Sequence, residues 1–295
     1  MPDAVPVNMT ILLQALLNGV MNGALIAVPA IGFTAIFAVL RYPNFAIAAY
    51  ATIGAFAAWW VNVHFGAGIL PALLIAFAVA GCVGVSAEET ALKPLRGAGA
   101  LTVAIGSIAL NTVLENVVRL FFGNDLRGYD LPLVPDWRFM GLRVGPQQLQ
   151  SLFFAVVIMG AVFAFLRYTR FGKAMRAVAD NPDLARLKGI EPAHIAVMTI
   201  FLGAGLAGIG GVLIGLDASI DPMLGFRVLL TVFAAAVLGG LGSIPGAVAG
   251  ALAIGIAEEC ALLVVPATYR SAVGFAAILL VLTVRPRGFF GERAN

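Results

Sequence analysis

The chain has 295 residues, of which 61% are hydrophobic and only 11% charged, with a formal net charge of +3 and a mean hydropathy of +1.00. A soluble domain is about 45–50% apolar and about 25% charged, so this chain has too little polar surface to cover itself in water. That excludes a soluble enzyme, a nucleic-acid binder and a disordered regulator, and it leaves an all-α polytopic membrane protein embedded in a lipid bilayer.

Taken in chain order, the N-terminal MPDAVPVNMT lacks the basic segment of a secretory signal, so it is expected to be retained. Residues 4–40, 42–87, 97–114, 144–166, 192–216 and 228–257 carry no Asp, Glu, Lys or Arg. A crossing helix needs roughly 20 mostly apolar residues. Breaks within the apolar runs predict about nine crossings (8–10), near 10–39, 44–63, 67–86, 99–122, 148–166, 195–216, 225–241, 244–264 and 269–284. The turn between the second and third is expected at His64-Phe65-Gly66-Ala67-Gly68. The run 228–257 is too short for two full spans, so the seventh crossing is expected to be short or partly re-entrant. Its break falls at Gly239, Gly240, Leu241, Gly242, Ser243, Ile244, Pro245 and Gly246. The whole chain reads as one transmembrane domain, with an outer loop at 123–147 containing a hairpin-like 137–144 and an inner loop at 167–194.

Twelve of the 18 basic residues collect on one side: Arg41, Lys93, Arg96, Arg167, Arg170, Lys173, Arg176, Arg186, Lys188, Arg285, Arg287 and Arg293. Six collect on the other: Arg119, Arg127, Arg138, Arg143, Arg227 and Arg270. By the positive-inside rule the first side is cytoplasmic, which puts the N-terminus outside and the C-terminus inside. Trp59, Trp60 and Trp137 are expected in the outer aromatic belt. Cys82 and Cys260 lie in apolar segments as small hydrophobes, and His64 and His194 stand at opposite faces without metal or catalytic spacing.

Within the inner loop, residues 181–190 signal a short exposed helix. Asn181 suits an N-cap, Pro182 the first helical position, and Asp183 the positive end of the helix dipole. Lys188 falls in the last turn, Gly189 fits the position after it, Ile190 follows, and Pro192 stops the helix from continuing. So short a helix needs something packed against it. Leu184 and Leu187, on one face, are the contact residues if the segment docks on another subunit; the other reading is a solvated turn lying on its own spans.

Several strings in this order resemble the permease subunits of ABC importers for branched-chain (hydrophobic) amino acids, the LivH-like group. They are Asn18-Gly19 with Gly23-Ala24-Leu25, Asn44-Phe45-Ala46, Lys93-Pro94-Leu95-Arg96, Gly172-Lys173-Ala174-Met175-Arg176-Ala177 through Asn181-Pro182 to Gly189-Ile190, the 239–247 string, and Arg285-Pro286-Arg287-Gly288. The resemblance implies a type II ABC importer permease with a short cytoplasmic coupling helix around 181–190 that seats on an ATPase. It further implies two cytoplasmic ATPase subunits, a second related permease forming a heterodimer, and a periplasmic or lipid-anchored binding protein. ATP and its Mg²⁺ would belong to those ATPases. The residues agree, since no Gly-x4-Gly-Lys-[Ser/Thr] occurs and Lys93, Lys173 and Lys188 are followed by Pro, Ala and Gly. One departure is at the second span, where the family usually reads Asn-Phe-Ala-His-Gly-Glu and this chain has Asn44-Phe45-Ala46-Ile47-Ala48-Ala49. Asn44 lies beside the implied pathway, and the loss of two polar side chains there leaves the solute open.

Gly203-Ala204-Gly205-Leu206-Ala207-Gly208 matches the dinucleotide fingerprint in letters, but it lies inside an uncharged run without a preceding strand, so close helix packing is its expected role. Ionisable residues at membrane depth are Glu115 and Arg119 in the fourth span and Glu258 and Glu259 in the eighth. Glu115 and Arg119 are four apart with the acid first, and Asn111 extends their face. Two roles fit: a structural ion pair, or an outer vestibule in which Asn111, Glu115 and Glu258 meet a zwitterionic solute. The alternative function is an ion-coupled carrier or a channel for small neutral solutes such as amides. No nucleophile–base pair suggests an enzyme.

Overall fold

A computed structural model describes residues 9–131, 135–139, 142–266, 269–284 and 288–290. Met140-Gly141, Arg285-Pro286-Arg287 and Arg293 lie outside the described residues, as do 1–8. The chain folds into helices α1 (Met9–Leu40), α2 (Ile47–Phe65), α3 (Ile69–Ala87), α4 (Ala100–Phe122), α5 (Pro146–Tyr168), α6 (Arg170–Asp180), α7 (Pro182–Leu187), α8 (Pro192–Asp217), α9 (Leu224–Gly239), α10 (Ile244–Ala261) and α11 (Arg270–Val284). Two short strands, β1 (Trp137–Phe139) and β2 (Leu142–Val144), pair antiparallel with Arg138 opposite Arg143. This is the expected hairpin of the 123–147 loop.

Among the described residues six helices are long and apolar enough to cross a membrane, and α9 and part of α11 are shorter apolar helices. The polar end of α2, with Asn62 and His64, sets it apart from those six. Gly66 ends α2 in the left-handed region, at φ 61°. At 16 residues, α9 is about 24 Å long at 1.5 Å per residue, short of a bilayer core of about 30 Å.

The bundle packs through its glycines. The central helix α8 lies against α1, α2 and α3, and α10 lies along α1. A Cβ on Gly54 would sit 2.3 Å from the Cα of Gly208, and one on Gly211 would sit 2.0 Å from the Ala51 carbonyl oxygen. Between α1 and α10, Gly19, Gly23 and Gly255 allow the same approach. Gly203 and Gly205 of the fingerprint-like string abut Gly32 with Ile36 and Phe77, respectively, so this string is helix-packing surface. Small residues do this because lipid supplies no hydrophobic drive between helices, leaving van der Waals contact to hold them together.

Two features of the 167–194 loop depart from expectation. Residues 170–180, expected only as loop, form the amphipathic helix α6, capped by Thr169, whose hydroxyl accepts from the Gly172 amide at 3.2 Å. Pro192 does not simply end α7. It is the first residue of α8, where a missing N–H costs nothing. Near the end of α2, Trp59 is buried with Phe56, Phe122 and the Arg127 guanidinium, which lies 4.5 Å from its ring centre. It is therefore a core residue, whereas Trp60 and Trp137 are exposed.

Candidate functional site

The 167–194 loop folds as a projecting helical elbow. The Asn181 side chain accepts hydrogen bonds from the Asp183 and Leu184 amides, both at 3.0 Å, and Pro182 opens the helix. At the other end Gly189 takes φ 80°, and the Ile190 amide returns to the Ala185 carbonyl at 3.1 Å. The one buried residue of α7 is Ala185, which packs into the core beside Met175, Val178 and Ile195. Leu184 and Leu187 point away from the chain and are 55% and 84% exposed. Asp183 and Lys188 are also exposed. The helix is therefore anchored by one alanine while two leucines face outward.

Beside this elbow is a cavity of about 1150 Å³ between the ends of α1, α5, α6 and α9, lined by Arg41, Arg167, Arg176 and Asp180 among apolar walls. Gly242, Ser243 and Pro245 form part of its wall. The 239–246 string is a tight turn between α9 and α10. Gly240 and Gly242 adopt φ 102° and 95°, and Ser243 caps α10 by accepting from the Gly246 amide at 3.2 Å. Gly239 and Gly246 lie backbone to backbone, and Gly250 meets the Ala235 carbonyl. The amides of Phe289 and Phe290 donate to the carbonyls of Leu238 and Gly239 at 2.9 and 3.0 Å. The chain near its C-terminus thus satisfies carbonyls that the end of α9 leaves free.

The start of α2 is held by the preceding Asn44 and by two side chains of α4. Asn44 Oδ1 accepts from the Ala46 amide at 3.0 Å, Ser107 Oγ from the Phe45 amide at 2.9 Å, and Asn111 Oδ1 from the Ala49 amide at 2.7 Å. Asn44 and Asn111 are therefore brought together as caps. Ser107, absent from the sequence-based candidates, was legible as the next member of a stripe spaced by four: 107, 111, 115, 119. Glu115 pairs with Arg119 at 2.5 Å as the favourable acid-first spacing anticipates. The stripe faces α2, with Ser107, Asn111 and Glu115 all buried. Glu258 is elsewhere, buried between α9 and α11, accepting from the Thr231 hydroxyl at 3.3 Å with Gly274 against its carboxylate. Glu259 accepts from Asn22 Nδ2 at 3.5 Å.

Sequence reading also passed over Glu88. It ends α3 in a widened π turn (Glu88–Leu92), followed by a 3₁₀ segment (Lys93–Ala98). Its side chain is fully buried. Glu88 Oε1 accepts from the Tyr42 hydroxyl at 2.5 Å and from Arg96 Nη2 at 2.7 Å. Burial, and then the neighbouring carboxylate, push the Tyr42 phenol far above its ordinary range, so it stays an O–H donor. The signal was faint because Glu88 and Arg96 are eight residues apart and meet only where the helix widens.

A bundle with six helices long and apolar enough to cross a membrane among the described residues is the build of a multi-pass membrane protein. The chain belongs to the family described as "Branched-chain amino acid transport system / permease component", whose model matches residues 15–282. Members of that family are transport components and not enzymes. The chain is 33% identical to the high-affinity branched-chain amino acid transport system permease protein LivH of Salmonella typhimurium over 305 residues, covering 95% of this chain and 96% of that protein. The corresponding LivH of Escherichia coli K12 is 33% identical and BraD of Pseudomonas aeruginosa 32%, each with 95% of this chain and 96% of the relative covered. Among solved structures, PsaBC from Streptococcus pneumoniae in complex with Fab has a TM-score of 0.46 at 13% identity, covering 93% of both chains.

Proposed function

We propose that this chain is the permease subunit of an ATP-driven importer for branched-chain amino acids in a bacterial inner membrane, forming half of an alternating-access pathway. The solute class rests on the relatives, all three of which are named as branched-chain amino acid permeases. In this reading α1–α5 and α8–α11 each cross once, giving nine crossings with the N-terminus outside and the C-terminus in the cytoplasm. The twelve-to-six distribution of basic residues supports that direction. The partners are two ATPases carrying ATP and Mg²⁺, a second related permease and an external binding protein.

The coupling role falls to α7 with Asn181, Lys188, Gly189 and Ile190. One observation carries it: Leu184 and Leu187 face outward from a helix too short to stand unaided, which leaves an apolar knob for another subunit. Gly239–Gly246 forms the tight inner boundary of the pathway. Asn44 and Asn111 hold the start of α2 beside it. The Glu115–Arg119 pair and Glu258 stabilise the outer half.

The complete complex in proteoliposomes tests this. ATP should drive uptake of labelled leucine, competed by isoleucine and valine, and the permease alone should be inert. Leu187→Asp should abolish uptake and ATPase co-purification while the protein still inserts in the membrane. Normal ATP-driven uptake by Leu187→Asp would refute the coupling role.

A further inference from the structure

Arg41 differs from its surroundings in two ways. It is the non-glycine residue with positive φ among the described residues, at 62°. Glycine would take this conformation without strain, so an arginine there points to a role for its side chain. Its guanidinium donates to the carbonyl oxygen of Ala179 near the end of α6, two residues before the N-cap of α7.

The next residue turns the other way. Tyr42 is buried, and its hydroxyl reaches Glu88, which also holds Arg96 in the link between α3 and α4. Two and three residues further on, Asn44 and Phe45 begin the capped entry to α2, where Ser107 and Asn111 of α4 hold the backbone amides. One dipeptide thus grips the elbow with its first side chain and the α3–α4 charged joint with its second. The other Glu88 oxygen, Oε2, is buried and accepts no hydrogen bond from the described residues, which leaves the joint an acceptor for re-pairing.

We propose that Arg41–Tyr42 transmits displacement of α6–α7 to the starts of α2 and α4, with Arg41 as a positioning residue that makes ATP hydrolysis productive for transport. The inference rests on the coupling reading above. A shift of the elbow pulls the end of α1 through Arg41, and Tyr42 passes it to Glu88. Coupling of this kind needs contiguous contacts between elements able to take two arrangements.

The test is the amount of solute moved per ATP hydrolysed by the full complex in proteoliposomes. Arg41→Gly keeps the backbone conformation and removes only the side chain. It should assemble with its ATPases and lower solute moved per ATP at least tenfold, and Arg41→Lys should restore much of the ratio. An unchanged ratio in Arg41→Gly would overturn the proposal. If that variant does not assemble, Tyr42→Phe, which removes a single oxygen, decides: a lowered ratio supports the joint and an unchanged one sinks it. Failure of the coupling reading looks different, because it is Leu187→Asp that would then retain uptake and ATPase binding.

Discussion

Glycine serves opposite ends in the bundle and in the α6–α7 elbow. Between α2 and α8 it is required for space: a Cβ on Gly211 or Gly54 would overlap backbone of the neighbouring helix, while neither residue has an unusual φ. At the end of α7 no described residue lies within 4 Å of where a Gly189 Cβ would be, and its φ of 80° is what demands glycine. The contrast separates a part of the molecule built to be immobile, backbone against backbone, from one held by a single alanine, two caps and a few hydrogen bonds. The proposed coupling needs both, a rigid body to move and a handle by which to move it.

Substitutions in the two regions should separate accordingly. The largest effect is expected from Gly211→Val. Its Cβ would meet a carbonyl oxygen at 2.0 Å, and two packed backbones yield less easily than side chains. The cost should exceed the about 1–3 kcal/mol of ordinary overpacking, seen as a large fall in melting temperature in detergent. A Gly211→Val protein melting like the unchanged one would deny that close helix approach holds the bundle.

Next comes Glu88→Ala, at the link between α3 and α4. It strips Arg96 and Tyr42 of their shared acceptor. Breaking a buried pair costs about 3–5 kcal/mol, and the lower end is expected here because the Arg96 side chain is 34% exposed and can reach water. Glu88→Gln, which keeps an acceptor for Tyr42, should melt between the two. The smallest effect is expected from Asn181→Ala. Loss of this cap costs about 1 kcal/mol, confined to α7, so global melting should stay unchanged while hydrogen exchange at the Asp183 and Leu184 amides rises about fivefold. A global shift would mean that the elbow is integral to the bundle.

Much of this architecture was legible beforehand. Helix ends came within a few residues because the chain marks them with Gly66, Gly239 and the proline at the start of α10, and because uncharged runs of membrane length have few other interpretations. The elbow's caps were legible too, since Asn181, Pro182 and Gly189 act on backbone within a few residues of themselves. Helix α6 was missed because its residues 170–180 carry three basic side chains and read as loop, although Met175 and Val178 lie three apart on its buried face. Glu88 was missed for a related reason: an acid beside basic residues at a membrane boundary looks solvated until the fold closes over it.

The sequence by itself determined that the protein is a helical membrane bundle, that its basic residues gather between the apolar runs and where a short capped helix interrupts it. Those properties depend on composition and on interactions spanning a few residues. Only the tertiary structure decided that Asn44, Ser107 and Asn111 are spent on the start of α2, that Glu258 lies apart from them, and that Arg41 and Tyr42 face two different partners. Each of these depends on which helices become neighbours, and side chains tens of residues apart acquire partners only when backbones pack closely enough to bring them together.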